Sequence, residues 1–424
     1  MNSFTSRRLD RMGRLDRMYR RLCALLAVMV FSLSQSALAD PSGSAQAVHA
    51  QLMNAGRAAL AAGDPDTSLT AFSRALRLAP RDPRAQLAMA QAWAQSGQPR
   101  RAEAFLHHLL RDATQQENAA LYLAALDELA RRYPFQFSAS LAFLPSSNIK
   151  NTSSETYFDT LWGRFAIEDG GAQTSGVGVD AGAQVLYRRP LGAGQSLEIG
   201  ANLGRVWYRA QELRYWRGRL FADVTSQTRQ TSARAGVHVA GVRFDAGAQS
   251  GANRLTRGLH AGWSTRLSQS ASLTLSGRFE TRAYLDKPAL SGPFGALSLG
   301  GHMALGPSQA LAFGTTIERS TPALAYHRYW GAGLRADYRF DLSDTLRAGI
   351  DASATLRRYD TDFPSLDYAR RDMVYRVGGM LSDSRLSLMG ATPTLSCGYK
   401  VQTSNVALYA SRTTECRLGW AYRF

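Results

Sequence analysis

At 424 residues, with 45% hydrophobic and 20% charged side chains and a mean hydropathy of -0.24, the chain is long enough for two domains and too polar for a bundle of membrane-spanning helices. Its formal net charge of +17 comes almost wholly from arginine. The export signal that opens the chain argues against nucleic acid as a partner, which leaves arginines lining a lumen or touching anionic lipid, over a background bias toward arginine codons.

Arg7, Arg8, Arg11, Arg14, Arg17, Arg20 and Arg21 precede an apolar run from Leu22 to Leu33, and Ala37-Leu38-Ala39 then supplies a small-residue cleavage site before Asp40. Residues 1–39 therefore read as a secretory signal peptide, for which Met18 is a more ordinary start than Met1.

Residues 40–133 are expected to form a short helical domain. From Val48 to Tyr133 the pattern is Ala-rich and helical, with breaks at Gly63-Asp64-Pro65, Pro80 to Pro83, and Gly97. Gly63 and Gly97 stand 34 residues apart, the tetratricopeptide period. In that register Gly56 and Ala90 take the small early position, Ser68 and Ala102 the small position of the second helix, and Phe72 and Leu106 the bulky one. Ala75 and Pro80 complete the first repeat, whereas Leu109 replaces a small residue in the second. Small residues are needed where paired helices approach closely. A third helix, Asn118 to Arg132, follows; the competing reading is an unrelated helical hairpin. Two repeats make a minimal solenoid, suited to holding a substrate, a chaperone or a barrel at a periplasmic mouth.

Residues 134–424 contain fourteen alternating segments, beginning near Phe135, Val177, Leu197, Tyr215, Thr231, His260, Ala271, Phe294, Leu311, Trp330, Leu346, Met373, Leu386 and Glu415. Short connectors (Pro190 to Gly194, Gly306 to Gln309, Asp341 to Asp344, Ser382 to Arg385) alternate with long ones (Pro145 to Ala172, Phe244 to Asn253, Tyr284 to Gly292, Tyr359 to Ala369). Aromatic residues such as Trp207, Trp216 and Trp330 gather toward strand ends. Short periplasmic turns, long external loops and aromatic girdles are the construction of an outer-membrane barrel. The fold class is thus α + β in separate domains: tetratricopeptide helices, then a transmembrane antiparallel β-barrel of about 14 strands.

The last segment places Cys416, Leu418, Trp420, Tyr422 and Phe424 on one parity. As the closing strand, its Trp420, Tyr422 and Phe424 would form the signal read by barrel assembly machinery; the bland alternative is an edge strand of a soluble sandwich. Cys397 and Cys416 lie equally far from a hairpin tip near Val406 and Ala407, on lipid-facing parity, so they are either a cross-strand disulfide or two covered thiols. Metal-ligand spacing, a phosphate loop, a nucleophile elbow and a C-x-x-C pair are all missing from the sequence, so no catalytic, cofactor or metal site is expected.

Several short runs point to one family. Pro145, Ser147, Asn148 and Ile149 follow the first strand, with Ser146 where that family typically has Asp. Arg370-Arg371-Asp372 opens a later strand, followed by Ala391-Thr392-Pro393-Thr394-Leu395, then Ser404-Asn405 with Tyr409, then the terminal Phe424. In this order the chain resembles the surface lipoprotein assembly modulator family, tetratricopeptide repeats ahead of the barrel included. The resemblance implies an outer-membrane translocon, monomeric as a barrel and not an enzyme, with its repeats in the periplasm. It would move a client, a surface lipoprotein or a soluble secreted protein, to the cell surface. Arg370, Arg371 and Asp372 read either as a gate cluster in the mouth or as a lumen-wall salt bridge fixing the strand. The rival functional class is an exopolysaccharide or small-solute export porin carrying a repeat segment, which lumen-facing aromatic tracks would favour.

Overall fold

A computed structural model describes residues 41–112, 117–167, 174–192, 194–245 and 252–423; the expected signal peptide and Phe424 lie outside the described residues. Five helices come first: α1 (Pro41–Ala61), α2 (Pro65–Leu78), α3 (Pro83–Gln95), α4 (Pro99–Arg111) and α5 (Ala119–Arg132). Asp-Pro pairs start two of them. The Asp64 carboxylate accepts from the Thr67 amide at 3.1 Å and the Asp82 carboxylate from the Arg84 amide at 2.9 Å, with proline in the first helical turn each time. Gly63 and Gly97 end the preceding helices at φ of 77° and 78°, a backbone region that favours glycine.

Most of the expected repeat positions are buried, whereas Gly63, Pro80 and Gly97 at the turns are exposed. Phe72, Ala75, Ala102 and Ser68 are fully buried, and Ala90, Leu106 and Leu109 nearly so. Gly56 is small because the Phe72 ring lies where a β-carbon would stand, 2.5 Å from its nearest atom. Met53, Phe72, Ala75, Ala85 and Ala92 form one core. The chain divides into compact units between Ala102 and Glu103, so most of α4 and all of α5 belong with the strands.

Fourteen strands close into one antiparallel barrel: β1 (Phe135–Ser146), β4 (Gly176–Gly192), β5 (Gln195–Trp207), β6 (Tyr215–Gln227), β7 (Thr231–Phe244), β8 (Arg254–Arg266), β9 (Ala271–Tyr284), β10 (Gly292–Gly306), β11 (Gln309–Ser320), β12 (Tyr329–Asp341), β13 (Leu346–Asp362), β14 (Ala369–Asp383), β15 (Thr394–Ser404) and β16 (Ser411–Arg423). A separate hairpin, β2 (Tyr157–Thr160) with β3 (Gly163–Ala166), sits in the first long loop. Each barrel strand pairs with its neighbour in sequence, and β1 pairs with β16 to finish the circle. Both ends of the barrel chain and all the short turns fall at one rim, the periplasmic one by the construction rule for such barrels.

Alternation then decides orientation. Leu203, Leu220, Val237, Leu259, Phe279, Leu297, Phe313, Leu334, Ile350 and Val377 share the outward parity and are all exposed. Such a belt, one large apolar side chain per strand, would be untenable in water and is neutral in hydrocarbon. No described helix is long and apolar enough to cross a membrane.

One expected boundary moves. The thirteenth strand begins at Thr394, not near Leu386, which lies in a 3-10 turn (Ser384–Leu386). The Asp383 carboxylate accepts from the Arg385 amide at 2.9 Å, and Leu388 pairs with Ala391 in a small turn. These side-chain and turn bonds take the backbone out of the ladder, so the expected short connector is a longer one.

Cys397 and Cys416 stand directly opposite each other on β15 and β16, and a disulfide joins them across a separation of 19 residues. Alkylation of the purified protein without reductant should therefore leave both thiols unlabelled, and reductant should expose two. By loop-closure entropy, the Cys397→Ser/Cys416→Ser variant should be less stable by about 3 kcal/mol in urea unfolding from micelles.

Candidate functional site: an arginine-lined lumen and its outer mouth

Inward positions carry the charge. Asp180 on β4 accepts from Arg217 of β6 at 2.7 Å and from Arg417 of β16 at 3.0 Å, so one fully buried carboxylate ties three strands together. Glu198 does the same between Arg188 at 2.9 Å and Arg234 at 2.7 Å. Glu318 accepts from Arg357 at 2.9 Å, and Arg376 pairs with Glu415. Buried carboxylates survive only with such partners. Arginine suits the task because its planar fork can satisfy two acceptors at once.

At the outer mouth the motif residues of β1, β14 and β15 come together. Asn148 is buried and folds its own loop: its Oδ1 accepts from the Thr152 amide at 3.0 Å, and its Nδ2 donates to the Thr152 carbonyl at 2.9 Å. Ser147 stitches the loop root to β16, donating its amide to the Thr414 carbonyl at 2.9 Å and accepting the Thr414 amide on Oγ at 2.8 Å. Asn405 extends the β14–β15 pairing: its Oδ1 accepts the Arg371 amide at 2.7 Å and its Nδ2 donates to the Ala369 carbonyl at 2.9 Å. The Ser404 hydroxyl accepts the Val406 amide at 3.1 Å. Pro145 is the outward residue before that loop, opposite Val177. Pro393 stands apart at the other end of β15, its carbonyl accepting from Ser382 Oγ at 2.9 Å.

Arg370 and Asp372 are both buried and form a bonded pair on β14, Nε to Oδ1 at 2.9 Å and Nη2 to Oδ2 at 2.5 Å. The Arg370 guanidinium also lies 3.1 Å from the centroid of Tyr409 and 4.5 Å from that of Tyr359. Arg371 has the opposite parity and is exposed.

The first long loop then reaches over the neighbouring β15–β16 and β13–β14 loops. Ser153 Oγ donates to the Ala407 carbonyl at 2.6 Å, the Ser154 amide to the Ala410 carbonyl at 2.8 Å, and the Leu161 amide to the Ser365 carbonyl at 3.0 Å. The Phe158 ring from its hairpin meets Phe363 edge-on at 6.2 Å, and Phe363 in turn packs on Tyr326 and Tyr409. Around the same level, inward rings pair with arginines: Tyr284 with Arg254, Phe294 with Arg282, Tyr329 with Arg357. Lumen aromatics, which sequence alone does not place, thus line the outer mouth along β8 to β13. Residue spacing hides them, because inward and outward parity look alike wherever both faces carry aromatics.

At the short-turn rim, Glu103 of α4 bonds to Arg188 of β4 and accepts from Gln136 of β1 at 3.2 Å. His107 lies 3.4 Å from Gln227. Leu123, Leu126, Asp127 and Ala130 of α5 line a cavity of about 350 Å³ with Arg188, Glu198 and Arg234 of the strands. Burial by itself would raise the Glu103 carboxyl; the His107 hydrogen bond and the Arg188 charge outweigh it and bring the group from 4.5 down to about 2. None of these helix-to-strand contacts had a signal in the sequence, since Glu103 and Arg188 are 85 residues apart.

Two predictions follow from these geometries. Asp372→Asn leaves a buried guanidinium without its charge partner and should cost about 3–5 kcal/mol, read as a lower urea midpoint and faster proteolysis at residues 363–368. Glu103 has a depressed folded pKa, so its contribution is present above the unfolded value and lost as pH falls through the folded one. The α4–β4 contact should hold at pH 5, weaken from about 4.5 downward and be gone below about 2; Glu103→Gln should abolish that dependence, as followed by hydrogen exchange of α4.

Among solved structures the barrel is similar to the outer-membrane channel DcaP of Acinetobacter baumannii, at 8% identity and a TM-score of 0.39, over 68% of this chain and 96% of that one. It is also similar to the toluene transporter TodX of Pseudomonas putida (10% identity, TM-score 0.35, 68% and 89% covered) and to a bacterial polysaccharide outer-membrane secretin (13%, 0.35, 68% and 98%). No curated relative matches the chain. Residues 59–126 match the tetratricopeptide repeat, and residues 135–420, the greater part of the chain, match the surface lipoprotein assembly modifier family. With the repeat helices, the closed fourteen-strand barrel and the motif residues of its outer mouth in place, this chain belongs to the surface lipoprotein assembly modifier family, outer-membrane transporters that translocate surface lipoproteins.

Proposed function

We propose that the client lipoprotein crosses through the lumen itself, leaving by displacement of the first long loop from the outer mouth. In this reading the signal peptide (1–39) is removed, the helices (40–133) work in the periplasm, where the repeats receive the client, and the barrel (134–424) is a monomer. The closing strand, with Trp420, Tyr422 and Phe424, is what the barrel assembly machinery reads. The route does not depend on the lipid anchor, so a soluble secreted client would use it too.

The observation that carries the reading is the contrast between the two ends of that loop. Its root is fixed to β16 through Ser147 and folded by Asn148, whereas Ser153, Ser154, Phe158 and Leu161 meet the rim by neutral hydrogen bonds and ring edges. Each such bond is worth about 1 kcal/mol net, so a client's binding energy could release them without disturbing the wall.

A reversible tether tests the idea. Leu161→Cys with Ser365→Cys, positions joined by a 3.0 Å backbone bond, should trap the client in the periplasm until reductant is added, with wild type plus reductant as the control. Undiminished surface delivery by the demonstrably tethered protein would rule the gate out.

A further inference from the structure

The outer rim carries one construction twice. Arg205 and Arg319 each precede, by nine residues, an Arg-Tyr-Trp run: Arg214-Tyr215-Trp216 and Arg328-Tyr329-Trp330. In both loops the arginine of that run turns back on the connecting loop. Arg214 donates to the Tyr208 and Arg209 carbonyls at 2.8 and 3.0 Å, and Arg328 to those of Pro322 and Ala323 at 2.9 and 3.1 Å. Near its outer end the next strand then carries Arg243-Phe244-Asp245 or Arg358-Tyr359-Asp360. Asp245 takes the guanidinium of Arg205 by both oxygens, and Asp360 that of Arg319 at 2.7 and 2.6 Å. The two sets occupy β5–β7 and β11–β13, six strands apart in a circle of fourteen, so they face nearly opposite directions.

What each station presents to the membrane is a tryptophan between two arginines. Trp216 stands opposite Arg205 on one side and Arg243 on the other; Trp330 stands opposite Arg319 and Arg358. Trp216 and Trp330 are 46% and 57% exposed, on the same parity as the lipid-facing belt, and the inner arginine of each row lies about 5 Å from the ring centroid. The outer arginines differ. Arg243 and Arg358 are exposed and bond to no side chain among the described residues. Arg358 moreover stands directly opposite Arg371, another exposed outward arginine. Like charges opposed across a ladder repel, and an anion bridging them relieves that. Indole at interfacial depth beside free guanidinium is the pairing suited to a headgroup that is anionic above and hydrocarbon below.

We propose that these two stations bind phosphate-bearing lipid headgroups of the outer leaflet, with Arg243 and Arg358 as the anion contacts, Arg371 assisting at the second. The inner ion pairs with Asp245 and Asp360 hold each tryptophan and loop in place and leave the outer arginine to the lipid. Two bound lipids on opposite sides would fix the barrel's height in the bilayer at its gated rim. This reading is independent of the route taken by the client.

The test is native mass spectrometry of the full mature protein in micelles, titrated with phosphatidylglycerol or phosphatidylcholine. Wild type should bind two phosphatidylglycerol molecules in preference to phosphatidylcholine. Arg243→Gln with Arg358→Gln should weaken that binding about fivefold for each arginine lost, while Arg243→Lys with Arg358→Lys should keep most of the preference. Heat-modifiable gel mobility verifies that each variant is folded. Equal affinity for the two lipids, or an unchanged affinity in the glutamine variant, overturns the proposal. So does displacement by millimolar inorganic phosphate, which would mean a free-anion site. Photo-cross-linking of a client to Trp216 or Trp330 positions with lipid binding intact would assign the surface to a protein and equally overturn it.

Discussion

Every backbone amide and carbonyl of the spanning strands must find a partner, because hydrocarbon supplies none. That constraint forces β1 onto β16, and the closure in turn sets everything else. Once the ladder is a circle, each strand has one face toward lipid and one toward the lumen, and period-2 alternation becomes a division between two solvents. The outward face needs only to be apolar. The inward face has to fill or line a space too large for a hydrophobic core and too small to leave its charges loose.

The lumen wall meets that requirement with long cations laid flat against buried carboxylates. Room for them comes from small residues on the same face. A β-carbon at Gly204 would stand 2.7 Å from Arg217 Nε, and one at Gly236 would stand 2.0 Å from Asp223 Oδ1. Glycine there weakens the strand locally but lets the ion pairs bridge several strands, as Asp180 does. The wall is thereby a set of braces, and the pair Arg370–Asp372 at the mouth is one of them, continued upward into the loops by its contact with Tyr409. Charged bonds hold the wall, while Ser153, Ser154 and Leu161 of the first long loop reach their neighbours through neutral hydrogen bonds.

Much of the site was legible beforehand, and the manner of it is instructive. Ser147, Asn148, Arg370, Asp372 and Asn405 were marked by motif alone, and the structure brings them to one rim, where each makes a local hydrogen bond. Pro393, marked in the same way, lies at the other end of the strand and takes no part in the mouth. The double Arg-Tyr-Trp run was present in the sequence as a repeat, yet reads there only as girdle aromatics. Its meaning depends on which neighbours face it across the ladder, a matter of register.

The sequence by itself determined the order of helices before barrel, a count of about fourteen strands and the lipid-facing parity of those strands whose apolar residues alternate cleanly. These follow from local periodicity, from the 34-residue repeat spacing and from the need for an even count of strands to return the chain to its starting side. It also set Cys397 against Cys416, since a hairpin's register is fixed from its own turn. Only the tertiary structure decided where the thirteenth strand starts, that Glu103 reaches Arg188, and that the first loop reaches Ser365 and Ala407. Those contacts join residues tens to hundreds of positions apart through side-chain reach and loop direction. Neither quantity has a period, so neither leaves a trace along the chain.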